Sequence, residues 1–130
     1  MALTNAARDH ITKAIIGSSL TSFNNANAYL GVGGGAGATN AFAATQTDLQ
    51  GASKTRKAMD STYPTDPPSP SNRLTFRSTF ATGDANYAWE EWGTFNASAA
   101  GTMLNRSVGS LGTKTSAASW QLTVTIDLSV

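Results

Sequence analysis

Residues 120–130, Trp120-Gln121-Leu122-Thr123-Val124-Thr125-Ile126-Asp127-Leu128-Ser129-Val130, decide the fold class. Trp120, Leu122, Val124, Ile126, Leu128 and Val130 alternate with polar residues, the period of a strand with one buried and one wet face. Upstream, Met103 to Val108 reads as a short strand between Gly101 and Gly109. Residues 86–95 put Tyr87, Trp89 and Phe95 on one parity together with Glu91, and Trp92 with Glu90 on the other. Leu74, Phe76, Ser78 and Phe80 share a face of a further strand from Arg73 onward. Residues 73–130 are therefore expected to be antiparallel strands.

The N-terminal part reads differently. Residues 4–16 form a helix capped by Thr4, with Ala7, Ile11, Ala14 and Ile15 on one stripe and Gly17 as its stop. Ala28 to Val32 could be a strand before the glycine cluster Gly33, Gly34, Gly35 and Gly37, which reads as a loop. Residues 43–59 fit a helix or irregular structure equally, and the four prolines between Pro64 and Pro70 exclude helix and central strand. The span 33–72 is read as a loop-rich arm. The chain is thus expected to be one mainly β domain over residues 1–130, an antiparallel β-sandwich or small barrel with one N-terminal α-helix and long Gly/Pro-rich loops.

Composition narrows the function classes. Ala, Ser, Thr and Gly fill 65 of the 130 positions, charged residues are only 13%, and the net charge is +1, so no electrostatic footprint for nucleic acid or membranes is expected. Small, weakly charged side chains suit a protein packed against copies of itself or a larger assembly. Cysteine is absent, which removes disulfides, thiolate metal sites and cysteine nucleophiles. The first 17 residues are interrupted by Arg8, Asp9, His10 and Lys13 and lack the apolar core of a signal peptide. The chain is expected to be made in the cytoplasm and kept whole.

Catalytic patterns are weak. The single histidine, His10, adjoins Asp9 on a helix, where neighbours point apart, and reads as a solvated residue. Glu90 and Glu91 fall on opposite faces of a strand and cannot flank one bond. Glu91, on the aromatic parity, is expected to be a structural carboxylate, held by backbone N–H groups or by Arg77 or Arg106. The glycine cluster lacks the spacing of a phosphate loop, and the acidic residues are too scattered for a metal site. Neither enzymatic activity nor a cofactor is expected. Trp89 and Trp120 read as core. Candidate interface residues are Trp92, the loop glycines Gly33, Gly34 and Gly35, the arm prolines Pro64, Pro67 and Pro68, and the basic run Lys54, Arg56 and Lys57.

The segments Leu74-Thr75-Phe76-Arg77, Glu91-Trp92-Gly93-Thr94-Phe95-Asn96, Gly101-Thr102-Met103-Leu104-Asn105-Arg106, the loop around Lys114 and Leu122-Thr123-Val124-Thr125-Ile126 resemble, in that order, bacteriophage tail-collar-fibre-like domains. The opening Leu3 to Ala7, Gly31 to Gly33 and Leu49 to Met59 are similar to the way such phage proteins begin. The sequence departs from the pattern at Trp92, where a small aliphatic residue is usual, and by stopping at Val130 without shaft or receptor-binding tip. The resemblance implies a non-enzymatic virion structural protein, made in the host cytoplasm. Its expected role is capsid-surface decoration or cement, with a tail adaptor or collar attachment protein as the alternative. The expected partners are copies of itself and the major capsid or tail proteins. A third reading, a sugar-binding adhesion module that takes cell-surface polysaccharide, would need exposed aromatics in a shallow groove.

Overall fold

The computed structural model describes residues 3–66 and 72–128. Its elements are α1 (Asn5–Ile15), β1 (Tyr29–Gly34), β2 (Ser53–Ala58), β3 (Arg73–Phe80), β4 (Ala88–Phe95), β5 (Met103–Thr113) and β6 (Trp120–Asp127). All pairings are antiparallel: a four-stranded sheet in the order β2-β1-β4-β5 faces a two-stranded sheet of β3 and β6. The protein is mainly β and sandwich-like. Of the two architectures open at the level of sequence, the described strands form no closed barrel.

β3 and β6 pair without a slip from Arg73↔Asp127 to Phe80↔Trp120. Their alternation sends Phe76, Phe80, Leu122, Val124 and Ile126 inward, against Leu30 and Val32 of β1, Trp89 of β4 and Leu104 of β5. The buried face of the last strand ends sooner than its alternation suggests. Leu128 is exposed, and Ser129 and Val130 lie outside the described residues.

The opposite face of the larger sheet is covered too. There Phe95 and Met103 pack with Leu49, which the 35–52 segment carries across the sheet, and with Tyr29. Two register irregularities in the β4–β5 pair, between Trp89 and Glu91 and between Thr94 and Phe95, separate the two faces. The first places Trp89 in the inter-sheet core although Phe95, of the same parity, lies on the other side.

The reading of 33–72 as a loop-rich arm is corrected in three places. Gly33 and Gly34 belong to β1, where both are buried. Residues 53–58, expected to be helical or irregular, form the edge strand β2. Tyr63 and Pro64, joined by a cis peptide bond, are half-buried beside β3 rather than extended into solvent. Thr65 exchanges two backbone hydrogen bonds with Thr75, and Asn25 Nδ2 donates to the carbonyls of Asp60 and Tyr63. Pro67 and Pro68 lie outside the described residues.

Thr4 caps α1 as expected, accepting from the Ala7 N–H while its hydroxyl donates to the Met103 carbonyl. Below that cap the helix departs from expectation. Of its stripe only Ala7 is buried; Ile15 is 80% exposed and the adjoining Ile16 75%. Its residues pack on β5 at one end, so the apolar C-terminal end has no cover among the described residues.

Candidate functional site

Glu91, fully buried, holds the 35–52 segment to the sheet. Its carboxylate accepts from Gly51 N at 2.6 Å, from Gln50 N at 2.9 Å and from Arg106 Nε at 2.6 Å. Both mechanisms open at the level of sequence operate together, with Arg106 as the partner. Arg77 instead binds Asp60 at 2.9 Å and lies over the Tyr63 ring. The Arg106 guanidinium is also fully buried and donates to the carbonyls of Ala38 and Asn40 and to Gln46 Oε1. With both ions hydrogen-bonded throughout, this is an organising pair rather than a reactive carboxylate.

Close neighbours, the Glu91 carboxylate among them, explain the glycines of β1. A Cβ at Gly33 would collide with the Glu91 carboxylate, and one at Gly34 with the Ala88 carbonyl. Gly33 and Gly34 are thus close-approach positions inside a sheet, and the expectation that they contact a partner is corrected. Gly35, at φ +79°, starts the exposed turn and donates its N–H to Glu90.

β2 presents the basic run, but each cation is engaged within the chain. Lys54 Nζ binds Asp48 at 3.0 Å and Lys57 Nζ binds Asp84 at 2.9 Å. Arg56 reaches Asp48 and the carbonyls of Ala97 and Ala100 while its guanidinium lies 3.5 Å over the Phe95 ring. A hollow of about 240 Å³ beside β2 is lined by these paired groups and by residues 98–100. Lys57 and the Ala81 N–H hold the Asp84 carboxyl below its ordinary value. Burial pushes the Tyr87 phenol up, against the hydrogen bond to Thr55.

Burial also raises the Asp48 carboxyl, but hydrogen bonds from Lys54, the Leu49 N–H and Arg56, with the Lys54 charge, outweigh it and leave Asp48 below its ordinary 3.8. The folded chain therefore binds this proton more weakly than the unfolded one. The resulting stability is complete above the unfolded value and is lost as pH falls through the lowered folded value. Asp48→Asn should flatten the acid limb of a stability–pH curve measured by urea unfolding, and only slightly, because the Asp48 side chain is 43% exposed.

The aromatic residues divide by role. Trp89, 2% exposed, donates its indole N–H to the Ala85 carbonyl and meets Phe80 and Trp120 edge-on at 4.8 and 5.0 Å. Trp89 lies in the inter-sheet core, and Trp120, partly buried, packs against it. Trp92 is half-buried and packs against the inter-sheet core. Its inward side is set by register: it pairs with Val32 and with Ser107, both on the face that looks toward β6. There it borders a cleft of about 340 Å³ with Asn105, Ser107 and residues 123–127 of β6. Sequence reasoning missed Asn105 as a cleft residue, because no local pattern shows that its side chain is buried under β6.

Two further residues are structural. His10, partly exposed, packs edge-on against Phe23, ring centroids 5.2 Å apart. Lys114, on the loop that carries the resemblance, is buried and donates to Asn86 Oδ1 at 2.8 Å. Among the described residues no cluster of three or more His, Asp or Glu could hold a metal ion, and no helix is long and apolar enough to cross a membrane. Compared with protein-family models, with curated proteins and with solved structures, the chain finds no match.

Proposed function

We propose that the chain is a non-enzymatic accessory structural protein of a bacteriophage particle, seated on larger subunits and on copies of itself, with capsid-surface decoration as its role. The carrying observation is the pair Ile15 and Ile16, 80% and 75% exposed at the far end of a helix fastened to β5. A protruding apolar helix end is a docking element rather than a core element. β6, and β5 beyond the end that Leu3 and Thr4 already cover, add strand edges that a neighbour can extend. The phage context comes from the resemblance along Leu74 to Ile126. A decoration subunit stabilises a shell by binding the assembled lattice and not its separated parts.

A tail adaptor or collar attachment protein is the second reading, favoured by the tail-collar-fibre-like order of the motifs. The deciding experiment shears particles, separates heads from tails on a density gradient and counts the chain in each fraction by quantitative mass spectrometry. Hundreds of copies on heads support decoration, and a few dozen or fewer confined to tails support the adaptor. Absence from both rejects the proposal. Ile15→Ser/Ile16→Ser should abolish incorporation while changing the stability of the isolated chain by no more than about 1 kcal/mol, since both side chains are already in water.

A further inference from the structure

Where β5 and β6 end their respective sheets, the cleft bordered by Trp92 opens between them. Its inner wall carries an unanswered polar group. Asn105 is 4% exposed, yet its Oδ1 has no hydrogen-bond partner, and neither does the buried Oγ1 of Thr94, its register neighbour on β4. Buried polar atoms left unpaired cost stability, so an unpaired amide in the wall of a cleft marks a place where a ligand can complete the bonding.

The other walls say which ligand. Trp92 offers an aromatic surface, and the residue beside its six-membered ring is Gly109, where a Cβ would stand 3.6 Å from Cη2, so no side chain from that position covers the indole. Ser107, the register partner of Trp92, adds a hydroxyl. Among the described residues the one charged group in the lining is Asp127, an acceptor bound to Arg73 at 3.1 Å, and no cation is part of the lining. An aromatic wall, an amide, a hydroxyl and a single carboxylate match a ring with apolar C–H faces and a rim of hydroxyl groups, and the described lining gives an anion no opposite charge.

We infer that this cleft binds a neutral saccharide. A pyranose ring lies on Trp92, its hydroxyls bond the Asn105 amide, and Ser107 and Asp127 meet it at the rim. A half-turn of the amide presents either its carbonyl or its N–H₂, and a hydroxyl serves both. The volume, at the lower end of the range for small-molecule sites, suits one or two rings. A strand from a second copy would pair with backbone edges and leave the Asn105 side chain unanswered. A single ring binds with a Kd on the order of 1 mM, and a short oligomer binds more tightly. The cleft takes this ligand whether or not the chain sits on a particle.

The test titrates the ¹⁵N-labelled chain with glucose, galactose, mannose, N-acetylglucosamine and their short oligomers to about 50 mM, with glucuronate as the anionic counterpart. At least one neutral sugar should shift the Trp92 indole N–H and the backbone amides of Asn105 and Ser107, and glucuronate should bind more weakly. Asn105→Ala should weaken that sugar about tenfold or more, yet melt no lower than the unsubstituted chain, because the amide it removes is unpaired. Trp92→Phe, which keeps an aromatic surface, should weaken it less than Trp92→Ala. Three results overturn the inference: no cleft shift with any neutral sugar, full affinity in Asn105→Ala, or cleft shifts that follow protein concentration without sugar, which would assign the cleft to a second copy.

Discussion

Arg106→Ala should destabilise the chain by about 3–5 kcal/mol, the range for breaking a buried ion pair from one side. Three losses combine. The Glu91 carboxylate, at 0% exposure, keeps its two backbone donors but loses its counter-charge. The carbonyls of Ala38 and Asn40 lose their donor, and the volume of the largest buried cation in the sheet is emptied. For a domain whose whole stability is on the order of 10 kcal/mol this is a large share, a fall of roughly 10–20 °C in Tm. The damage should also be local first: Gln50 and Gly51 donate to Glu91, so their amides should lose hydrogen-exchange protection before those of β3 and β6 do. Glu91→Leu/Arg106→Met should cost clearly less than Arg106→Ala alone, since no charge is then stranded. A loss below about 1 kcal/mol for Arg106→Ala, with Gln50 and Gly51 still protected, would sink the assignment of this pair as the anchor of the 35–52 segment.

That anchor also marks where sequence stops being legible. β3 and β6 could be read because bulky residues alternate along them and their register has no slip; Thr4 could be read because a cap is a local hydrogen bond. β2 could not. Ser-Lys-Thr-Arg-Lys-Ala has no apolar alternation, because it is an edge strand whose Arg56 covers Phe95 with a guanidinium where a hydrocarbon side chain would be expected. The glycines of β1 looked like a loop because their reason lies 58 residues away in Glu91, whose carboxylate occupies the space a Gly33 side chain would need. The stripe on α1 was visible, but nothing local says that the sheet reaches only its first turn. Parity failed at one point in β4: the register change between Trp89 and Glu91 breaks the strict alternation, so Trp92 shares the inter-sheet side with Trp89 instead of opposing it. The signal that could have warned of this is the pair Gly109 and Gly112 in β5, the latter at φ +102° opposite Trp89.

The two tryptophans of β4 give the largest contrast that a pair of substitutions can expose. Trp89→Ala should cost about 3–5 kcal/mol, the range for removing a large aromatic side chain from a packed core. Its ring touches β3 through Phe80 and β6 through Trp120, so it is a contact by which the smaller sheet is held on the larger, and its loss also strips the Ala85 carbonyl of a donor. Trp92→Ala should cost about 1–2 kcal/mol, because its side chain is half in the cleft and only the part against Val32 and its neighbours leaves a void. If the cleft is a binding site, the order reverses for ligand: Trp92→Ala should abolish saccharide binding in a chain that still unfolds cooperatively. Trp89→Phe, which restores most of the core volume, should regain more than half of the stability lost in Trp89→Ala and bind as the unsubstituted chain does. Equal stability losses at the two positions in urea unfolding would mean that Trp92 is as much a core residue as Trp89, and the cleft would then have no aromatic wall to offer.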